Sequence, residues 1–267
     1  MRAAFIGGGN MGSALVRGLL AHGAKPTDIT VGESAQALRE RLAAELGIAV
    51  TADNLLAIEQ ADIVIVAVKP QEMAATLQAL RAGLQSHKPV VMSVAAGLRI
   101  ADLSRWCGAG VPVIRAMPNR PALNGAGATA LFAPPSTTQA ARDIAMVVAQ
   151  SVGTCVWVDS EAQMDAVTAL SGSGPAYFFL LTELMIDAAV AQGLPRATAS
   201  ELAIQTLFGA GQMARASDGD LARLRAEVTS KGGTTEAALR SLATDDLRGI
   251  VHRALTAAAH RSQELAN

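Results

Sequence analysis

Near its start the chain reads Ala3-Ala4-Phe5-Ile6-Gly7-Gly8-Gly9-Asn10-Met11-Gly12, an apolar run followed by a glycine turn that fills every fixed position of G-x-G-x-x-G. In a dinucleotide-binding βαβ unit the first glycine permits a tight turn, the second lets the backbone approach a pyrophosphate, and the third lets the next helix pack on the strand. That helix, predicted over residues 10–22, directs its N-terminal N–H groups at the phosphates. The turn therefore predicts a nucleotide site. The alternative is a purely structural connection between strand and helix.

A second apolar strand, over residues 29–31, is followed by Glu33, which lies 21 residues after the last glycine of the turn. This spacing places Glu33 where the ribose 2′-oxygen of a dinucleotide sits. An acidic side chain there accepts a hydrogen bond from a 2′-hydroxyl and repels a 2′-phosphate, which favours NAD, whereas Ser34 and Arg39 could hold a phosphate. The alternatives are that Glu33 is a solvated carboxylate and that Ser34 caps the helix predicted over residues 35–46.

Composition limits the classes of function. The chain has 267 residues, 51% of them hydrophobic, and a formal net charge of −1 at pH 7. This length suffices for two domains with separate cores. A nearly neutral chain provides no broad basic field for nucleic acid or an anionic membrane. We therefore expect small-molecule ligands and no nucleic acid partner.

The sequence predicts a cytoplasmic protein without a membrane span or a metal site. Three glycines interrupt the apolar N-terminus, unlike a secretory signal. The apolar stretch from Ala176 to Ala191 contains two acidic residues, so it falls short of about 20 uncharged residues. Cys107 and Cys155 are expected to be small residues in or near the core, and the four histidines form no metal motif and are expected at the surface.

The pattern of the chain changes at about Ser160. Before it, short runs such as Ile63 to Val68 and Val90 to Val94 alternate with helical stretches; after it, the strand signal stops. Continuous Val/Ile runs are typical of strands buried on both faces of a parallel sheet. This predicts an α/β domain with a Rossmann-type, mostly parallel sheet over residues 1–160, followed by an all-helical domain over residues 161–267.

The stretch from Ala176 to Ala191 indicates how the helical domain is used. Its only charged residues, Glu183 and Asp187, share one helical face, and the remainder is apolar nearly all round, as in a helix buried on most sides. A domain of about 100 residues has difficulty burying such a helix alone. We predict that this domain dimerises through the helix; the alternative is the central helix of a monomeric bundle.

Two loops in the second half are rich in glycine and hydroxyl groups and precede helices: Ser171-Gly172-Ser173-Gly174-Pro175 and Ser230-Lys231-Gly232-Gly233-Thr234-Thr235. Such residues at a helix N-terminus make an anion site. Alternatively, they form turns and caps, with Thr234 capping the helix predicted from Glu236.

No histidine lies beside a carboxylate in a recognisable dyad. Reduction of a carbonyl usually needs a proton donor such as His or Lys. A protonated imine needs less help, since it already carries the positive charge that attracts hydride. A hydroxyl such as that of Thr235 would suffice.

Six segments resemble the signature segments of the pyrroline-5-carboxylate reductase family, in the same order and over nearly the whole chain. They are Gly7 to Gly12, Ala67-Val68-Lys69-Pro70, Ser93 to Gly97, Arg115-Ala116-Met117-Pro118-Asn119, Leu170 to Tyr177 and Ser230 to Thr235. The resemblance implies NAD(P)H-dependent reduction of 1-pyrroline-5-carboxylate to L-proline, the last step of proline biosynthesis. It also implies a Rossmann domain followed by a helical domain that interlocks with its partner's in a homodimer, often in rings of dimers.

The resemblance also implies site residues. The cofactor, NADPH with NADH as the alternative, would be held by Gly7, Gly8, Gly9, Asn10, Met11, Gly12, Ser34, Asn54, the backbone of Ala67, Val68, Lys69 and Pro70, and Val94, Ala95 and Ala96. Ser34 and Asn54 match positions near the 2′-phosphate, which favours NADPH despite Glu33. The substrate carboxylate would bind Ser230, Gly233 and Thr234. The catalytic hydroxyl of Thr235 would reach the imine nitrogen, and Glu161 is a weaker match on the substrate side. Hydride donor and substrate loop would come from different chains.

Three residues depart from the family pattern: Lys231 replaces a common proline, Arg120 replaces the usual threonine, and Glu33 stands where a small polar residue is common. Glu33 leaves the choice between NADPH and NADH open. Two other functions also remain open. One is a related two-domain NADP-dependent reductase of another small imine or acid; the other is a dinucleotide-binding protein without enzymatic activity.

Overall fold

The computed structural model describes residues 1–266, and the chain forms two compact units. The first unit comprises Met1–Ser173 together with the residues from Ala257 onward, and the second comprises Gly174–Thr256. The predicted boundary after residue 160 marks the change from strands to helices, whereas these units reflect packing. The division into functional domains at that residue stays a prediction.

The first unit is built on one sheet. Among the described residues its strands are β1 (Ala3–Ile6), β2 (Ile29–Gly32), β3 (Ala49–Thr51), β4 (Ile63–Val66), β5 (Val90–Ser93), β6 (Val113–Met117), β7 (Gly127–Phe132) and β8 (Gly153–Trp157). Their spatial order is β3-β2-β1-β4-β5-β6-β7-β8. The pair β6 and β7 is antiparallel and the other neighbours are parallel. This confirms the Rossmann-type, mostly parallel sheet.

Helices cover both faces of the sheet. They are α1 (Asn10–Ala21), α2 (Gln36–Leu46), α3 (Asn54–Ile58), α4 (Pro70–His87), α5 (Ile100–Cys107), α6 (Gln139–Gln150) and α7 (Gln163–Val167). Strand β4 shows why helices are needed on both faces of the sheet. Its alternate residues Ile63 and Ile65 join the core formed with α1, α2 and α6, while Val64 and Val66 join the core formed with α3, α4 and α5. Such a strand is stable only when both faces are covered.

The second unit is helical. It contains α8 (Gly174–Ala191), α9 (Arg196–Ala216), α10 (Leu221–Glu227), α11 (Thr234–Thr244) and most of α12 (Leu247–Leu265), whose last residues belong to the first unit. A π-helical turn, Thr168–Gly172, precedes α8. The expected break at residues 171–175 is therefore a widened helical turn. Pro175 fits there because the first turn of a helix needs no N–H donor.

Helix α8 leaves large apolar side chains exposed in the single chain, among them Phe178, Phe179 and Leu184, each more than half exposed. Within the described residues, one helical run, Gln163–Ala191, is long and apolar enough to cross a membrane by length and composition. An exposed apolar face of this size marks an interaction surface.

Candidate active site

The predicted cofactor residues lie in loops at one edge of the sheet. The glycine turn follows β1, Ser34 follows β2, Ala67 follows β4 and Val94 follows β5. Because these strands are parallel, their carboxyl ends meet at the same edge. The chain leaves β1 toward β2 on one side, and β4 lies on its other side. Ligands of open α/β sheets bind in the crevice at such a switch point.

The glycines of the turn differ in whether the surrounding chain leaves room for a side chain. Gly7 has φ +99°, and a Cβ added there would lie 2.9 Å from the Ala67 carbonyl oxygen. A Cβ on Gly12 would lie 2.2 Å from the Gly7 carbonyl oxygen. A Cβ on Gly9, in contrast, would have no described atom within 4 Å apart from those of its neighbours along the chain. Packing within the chain therefore explains Gly7 and Gly12, and leaves the missing side chain of Gly9 to be explained by a ligand.

The N-terminus of α1 suits an anion. Gly9 is its N-cap, no side chain caps its N–H groups, and its first turn has no acidic residue. The Ser13 hydroxyl donates back to the Gly9 carbonyl oxygen at 2.8 Å. Uncapped N–H groups at the positive end of a helix favour a phosphate. A dinucleotide pyrophosphate fits these residues.

Glu33 is tied to the glycine turn. Its Oε2 accepts a hydrogen bond from the Gly8 N–H at 2.9 Å, and its Oε1 accepts one from the Ala35 N–H at 2.9 Å. Glu33, at the end of β2, is therefore hydrogen-bonded to the backbone, although its side chain stays partly exposed. The predicted cap on α2 is wrong, because the helix begins at Gln36 after Ala35 and the Ser34 hydroxyl donates to Glu33 Oε1 at 3.3 Å.

Arg39 lies beside Glu33. Arg39 Nη1 donates to the carbonyl oxygens of Glu33 at 2.7 Å and of Ser34 at 2.6 Å. Asn54 lies against the end of β2, since a Cβ on Gly32 would be 2.3 Å from its Oδ1. The structure thus brings Ser34 and Asn54 to the end of β2 beside one carboxylate and one guanidinium, a charge pattern with features of both NAD and NADP sites.

The predicted substrate loop forms the N-terminus of α11. Thr234 and Thr235 are its first two residues and Gly233 is the N-cap, so the prediction that Thr234 caps this helix is wrong. Gly232 has φ +73°, a left-handed conformation that favours glycine. Its N–H donates to Glu236 Oε2 at 2.7 Å.

The hydroxyl groups of this loop are uncommitted. The nearby Thr229 hydroxyl donates to the Arg225 carbonyl oxygen at 2.6 Å, and the Thr244 hydroxyl at the other end of α11 donates to the Arg240 carbonyl oxygen at 3.0 Å. Within residues 1–266, no such partner takes the hydroxyls of Ser230, Thr234 or Thr235. Free hydroxyls and helix N–H groups together bind a carboxylate well.

Glu161 has partners within the first unit. Its Oε1 accepts hydrogen bonds from the Ile100 N–H at 2.7 Å and from Arg115 Nη1 at 2.7 Å. One turn later, Asp165 accepts from Arg99 Nη2 at 3.3 Å and from the Ser262 hydroxyl at 2.8 Å. None of these pairs was predicted from the sequence. The position of Arg115 could have predicted an acidic partner, because a charged residue inside an apolar strand needs a buried partner.

The cysteines carry no chemistry that this site uses. Cys107 is buried in the core beside α4, and Cys155 packs against the other core. Burial raises the pKa of the Cys107 thiol to about 12 and that of Cys155 to about 11. All four histidines are exposed. Within residues 1–266, no group of three or more His, Cys, Asp or Glu side chains is placed to bind a metal ion.

Family models match both parts of the chain. Residues 161–265 match the model described as pyrroline-5-carboxylate reductase dimerisation. Residues 2–97, which include the glycine turn, match the model described as NADP oxidoreductase, coenzyme F420-dependent. The exposed face of α8 thus lies within a dimerisation domain.

Individual relatives cover the whole chain. The pyrroline-5-carboxylate reductase of Pseudomonas aeruginosa is 46% identical over 265 residues, which are 99% of this chain and 97% of the relative. The solved structure of a pyrroline-5-carboxylate reductase from Coxiella burnetii has 39% identity and a TM-score of 0.96, covering 100% of this chain and 98% of that one. The Plasmodium falciparum enzyme, solved with NADP bound, has 28% identity and a TM-score of 0.85 over the same shares of the two chains.

These relatives confirm the activity expected from the sequence, which is NAD(P)H-dependent reduction of 1-pyrroline-5-carboxylate to L-proline. The dimerisation model supports the expected homo-oligomer. Since the Pseudomonas aeruginosa relative is 46% identical over nearly the full length of both chains, the chain belongs to the pyrroline-5-carboxylate reductase family.

Proposed function

We propose that residues 230–235 hold the substrate of this proline-forming reaction and that the Thr235 hydroxyl is its catalytic group. One observation carries the proposal: the hydroxyls of Ser230, Thr234 and Thr235 have no hydrogen-bond partner in the described chain and surround the N-terminus of α11. A negatively charged ligand with a second polar group fits this arrangement. The cyclic imine with its carboxylate has that chemistry.

The roles follow from the charges of the substrate. Ser230, Gly233 and Thr234 hold the carboxylate, and the positive end of α11 favours its charge. The Thr235 hydroxyl accepts a hydrogen bond from the protonated imine nitrogen and holds the ring in position. When bound, the dihydronicotinamide supplies the hydride. The nitrogen keeps its proton throughout, so the chain needs no general acid.

The cofactor site comprises the glycine turn, residues 67–70 and residues 94–96, with Ser34 and Asn54 at the ribose end. NADPH and NADH both fit this arrangement. Ser34, Asn54 and Arg39 favour the 2′-phosphate of NADPH, while the fixed carboxylate of Glu33 disfavours it. We infer that the carboxylate of Glu33 shifts the balance toward NADH without excluding NADPH.

The assembly is a homodimer through the helices of the second unit, with rings of dimers as a further step. The apolar face of α8, with Phe178 and Phe179, is covered by the partner and not by lipid. In this arrangement the substrate loop of one protomer serves the cofactor site of another. The enzyme acts in the cytoplasm, where its cofactors are available.

Substitution of Thr235 tests the proposal. Thr235→Ala should lower kcat strongly and leave cofactor affinity unchanged, whereas Thr235→Ser, which keeps the hydroxyl, should retain most of the activity. Thr244→Ala is the matched control, because its hydroxyl lies on the same helix and is bonded to the Arg240 carbonyl. The rates are measured as loss of dihydronicotinamide absorbance together with L-proline formed. Wild-type kcat in Thr235→Ala would remove Thr235 from the mechanism, and an effect on KM alone would reassign it to substrate binding.

A further inference from the structure

Two acidic residues, Glu161 and Asp165, hold the chain where it leaves the cofactor crevice. Glu161 accepts the N–H of Ile100, the first residue of α5, and Asp165 pairs with the side chain of the preceding residue, Arg99. The two carboxylates are therefore attached to consecutive residues. Residues 94–98, which include the predicted cofactor residues Val94 to Ala96, connect β5 to this attachment point.

The same segment is held at its other end by the sheet. The Val94 N–H donates to the Val66 carbonyl oxygen at 3.3 Å, and the Ala95 N–H donates to the Ser93 hydroxyl at 3.3 Å. Between these two ends, residues 94–98 lie outside helices and strands. A segment without secondary structure of its own takes its conformation from the groups that fix its ends.

Burial makes this attachment strong. The side chains of Arg115 and Asp165 are 5% and 3% exposed, and that of Glu161 is 25% exposed. The Arg115 Nε has no hydrogen-bond partner within residues 1–266, so Glu161 is the ion-pair partner that compensates this buried cation. Removing one charge of such a pair costs far more than at the surface.

The C-terminal end of α12 completes the arrangement. The Ser262 hydroxyl donates to Asp165 Oδ1, and Ser262 is itself buried. Three residues later, Leu265 lies against Gly97, where an added Cβ would be 3.3 Å from the Leu265 Cβ. The last turns of α12 therefore pack on the same segment that Glu161 and Asp165 attach.

We infer that Glu161, with Arg115 and Asp165, is a positioning residue for residues 94–98 in the cofactor crevice, in place of the substrate-side role that the family resemblance implied. Both hydrogen bonds of Glu161 Oε1, to the Ile100 N–H and to Arg115 Nη1, serve to attach the start of α5. The inference rests on the proposed cofactor site. It predicts that loss of this carboxylate weakens the cofactor and spares the substrate.

The test is Glu161→Gln, which keeps the side chain's size and removes its charge. We expect the Kd of NADPH, measured by fluorescence titration without substrate, to rise about tenfold or more, because a small misplacement of binding groups is costly. The KM for the imine substrate should stay at its wild-type value. Asp159→Asn is the control, since Asp159 is exposed and its carboxylate has no partner in the described chain.

Ser262→Ala is a milder second variant, which removes one neutral hydrogen bond to Asp165 and should weaken NADPH binding in the same direction. If Glu161→Gln does not fold, Ser262→Ala decides the question by the same two measurements. An unchanged Kd for NADPH, or a rise in the KM for the imine substrate alone, overturns the inference. Failure of the wild-type enzyme to reduce that imine would overturn the proposed function instead. The Kd of NADPH is measured without substrate, so it would still test the role of Glu161.

Discussion

Replacing Gly9 with alanine separates the binding role of the glycine turn from its folding role. Gly9 has φ −63° and ψ −168°, which alanine adopts without strain, and an added Cβ would meet no described atom within 4 Å apart from those of its neighbours along the chain. Less freedom in the unfolded chain should stabilise the variant by about 0.4–1 kcal/mol, and the poorer N-cap should cost a similar amount, about 0.5–1 kcal/mol. The free energy of unfolding should therefore change by less than about 1 kcal/mol.

Cofactor binding should respond very differently. The added methyl group occupies the space through which the second glycine of the motif approaches the pyrophosphate. Forcing one extra methyl group into a filled contact costs about 1–3 kcal/mol, and the upper part of that range is a loss of affinity on the order of 10²-fold. This corresponds to about 2.7 kcal/mol in the binding free energy of NADPH. Fluorescence titration gives the Kd, and urea denaturation of the same sample gives the free energy of unfolding.

Gly12→Ala is the contrasting variant. Its Cβ would lie 2.2 Å from the Gly7 carbonyl oxygen, so helix α1 must move away from the turn. We expect it to lose about 1–3 kcal/mol of stability, as for overpacked cores, in addition to its loss of NADPH affinity. Wild-type NADPH affinity in Gly9→Ala would refute the placement of the pyrophosphate. Equal loss of stability in both variants would refute the distinction between the two glycines.

Three further predictions concern charge, assembly and burial. Glu33→Gln should raise the ratio of kcat/KM for NADPH to that for NADH by about tenfold, the size expected for removing one like charge close to a phosphate; an unchanged ratio, with exposed Glu40→Gln as the control, would contradict this. At an NADPH concentration that saturates the wild type but not Gly9→Ala, mixing equal amounts of Gly9→Ala and Thr235→Ala subunits should restore about a quarter of wild-type activity if each site uses two protomers of a symmetric dimer, and none if each protomer is self-sufficient. Since burial raises the pKa of Cys107 to about 12 and that of Cys155 to about 11 from 9.0, both thiols should resist a thiol reagent in the folded protein at neutral pH. Their contribution to stability should be complete below pH 9 and decline as the pH rises toward 12, which denaturation at several pH values measures.

The sequence predicted the sheet well because its signal is local. The run Ile63 to Val66 is apolar at every position and is buried on both faces, as such runs require. Strand β3 and helix α3 were not predicted, because three and five residues are too short to show a period. Helix α5, with eight residues, was missed for the same reason.

Caps were predicted poorly because several nearby groups compete for the same backbone N–H. Ser34 has the right chemistry to cap α2, but the adjacent Glu33 accepts the Ala35 N–H and also reaches the turn at Gly8, 25 residues earlier in the chain. Thr234 likewise gives way to Gly233, while Glu236 takes the Gly232 N–H. Propensity alone does not show which of several competing oxygens a fold brings within reach.

Glu33 and Glu161 show which site residues can be predicted from a sequence and which cannot. Glu33 was identified because its spacing from the glycine turn is a fixed feature of the dinucleotide-binding βαβ unit. Arg115, the partner of Glu161, lies 46 residues away in sequence and becomes its neighbour only when the sheet forms. A motif therefore identifies the groups proposed to meet the ligand, since those are set by local backbone requirements. The groups that hold these loops in place depend on long-range pairs, and only the structure reveals them.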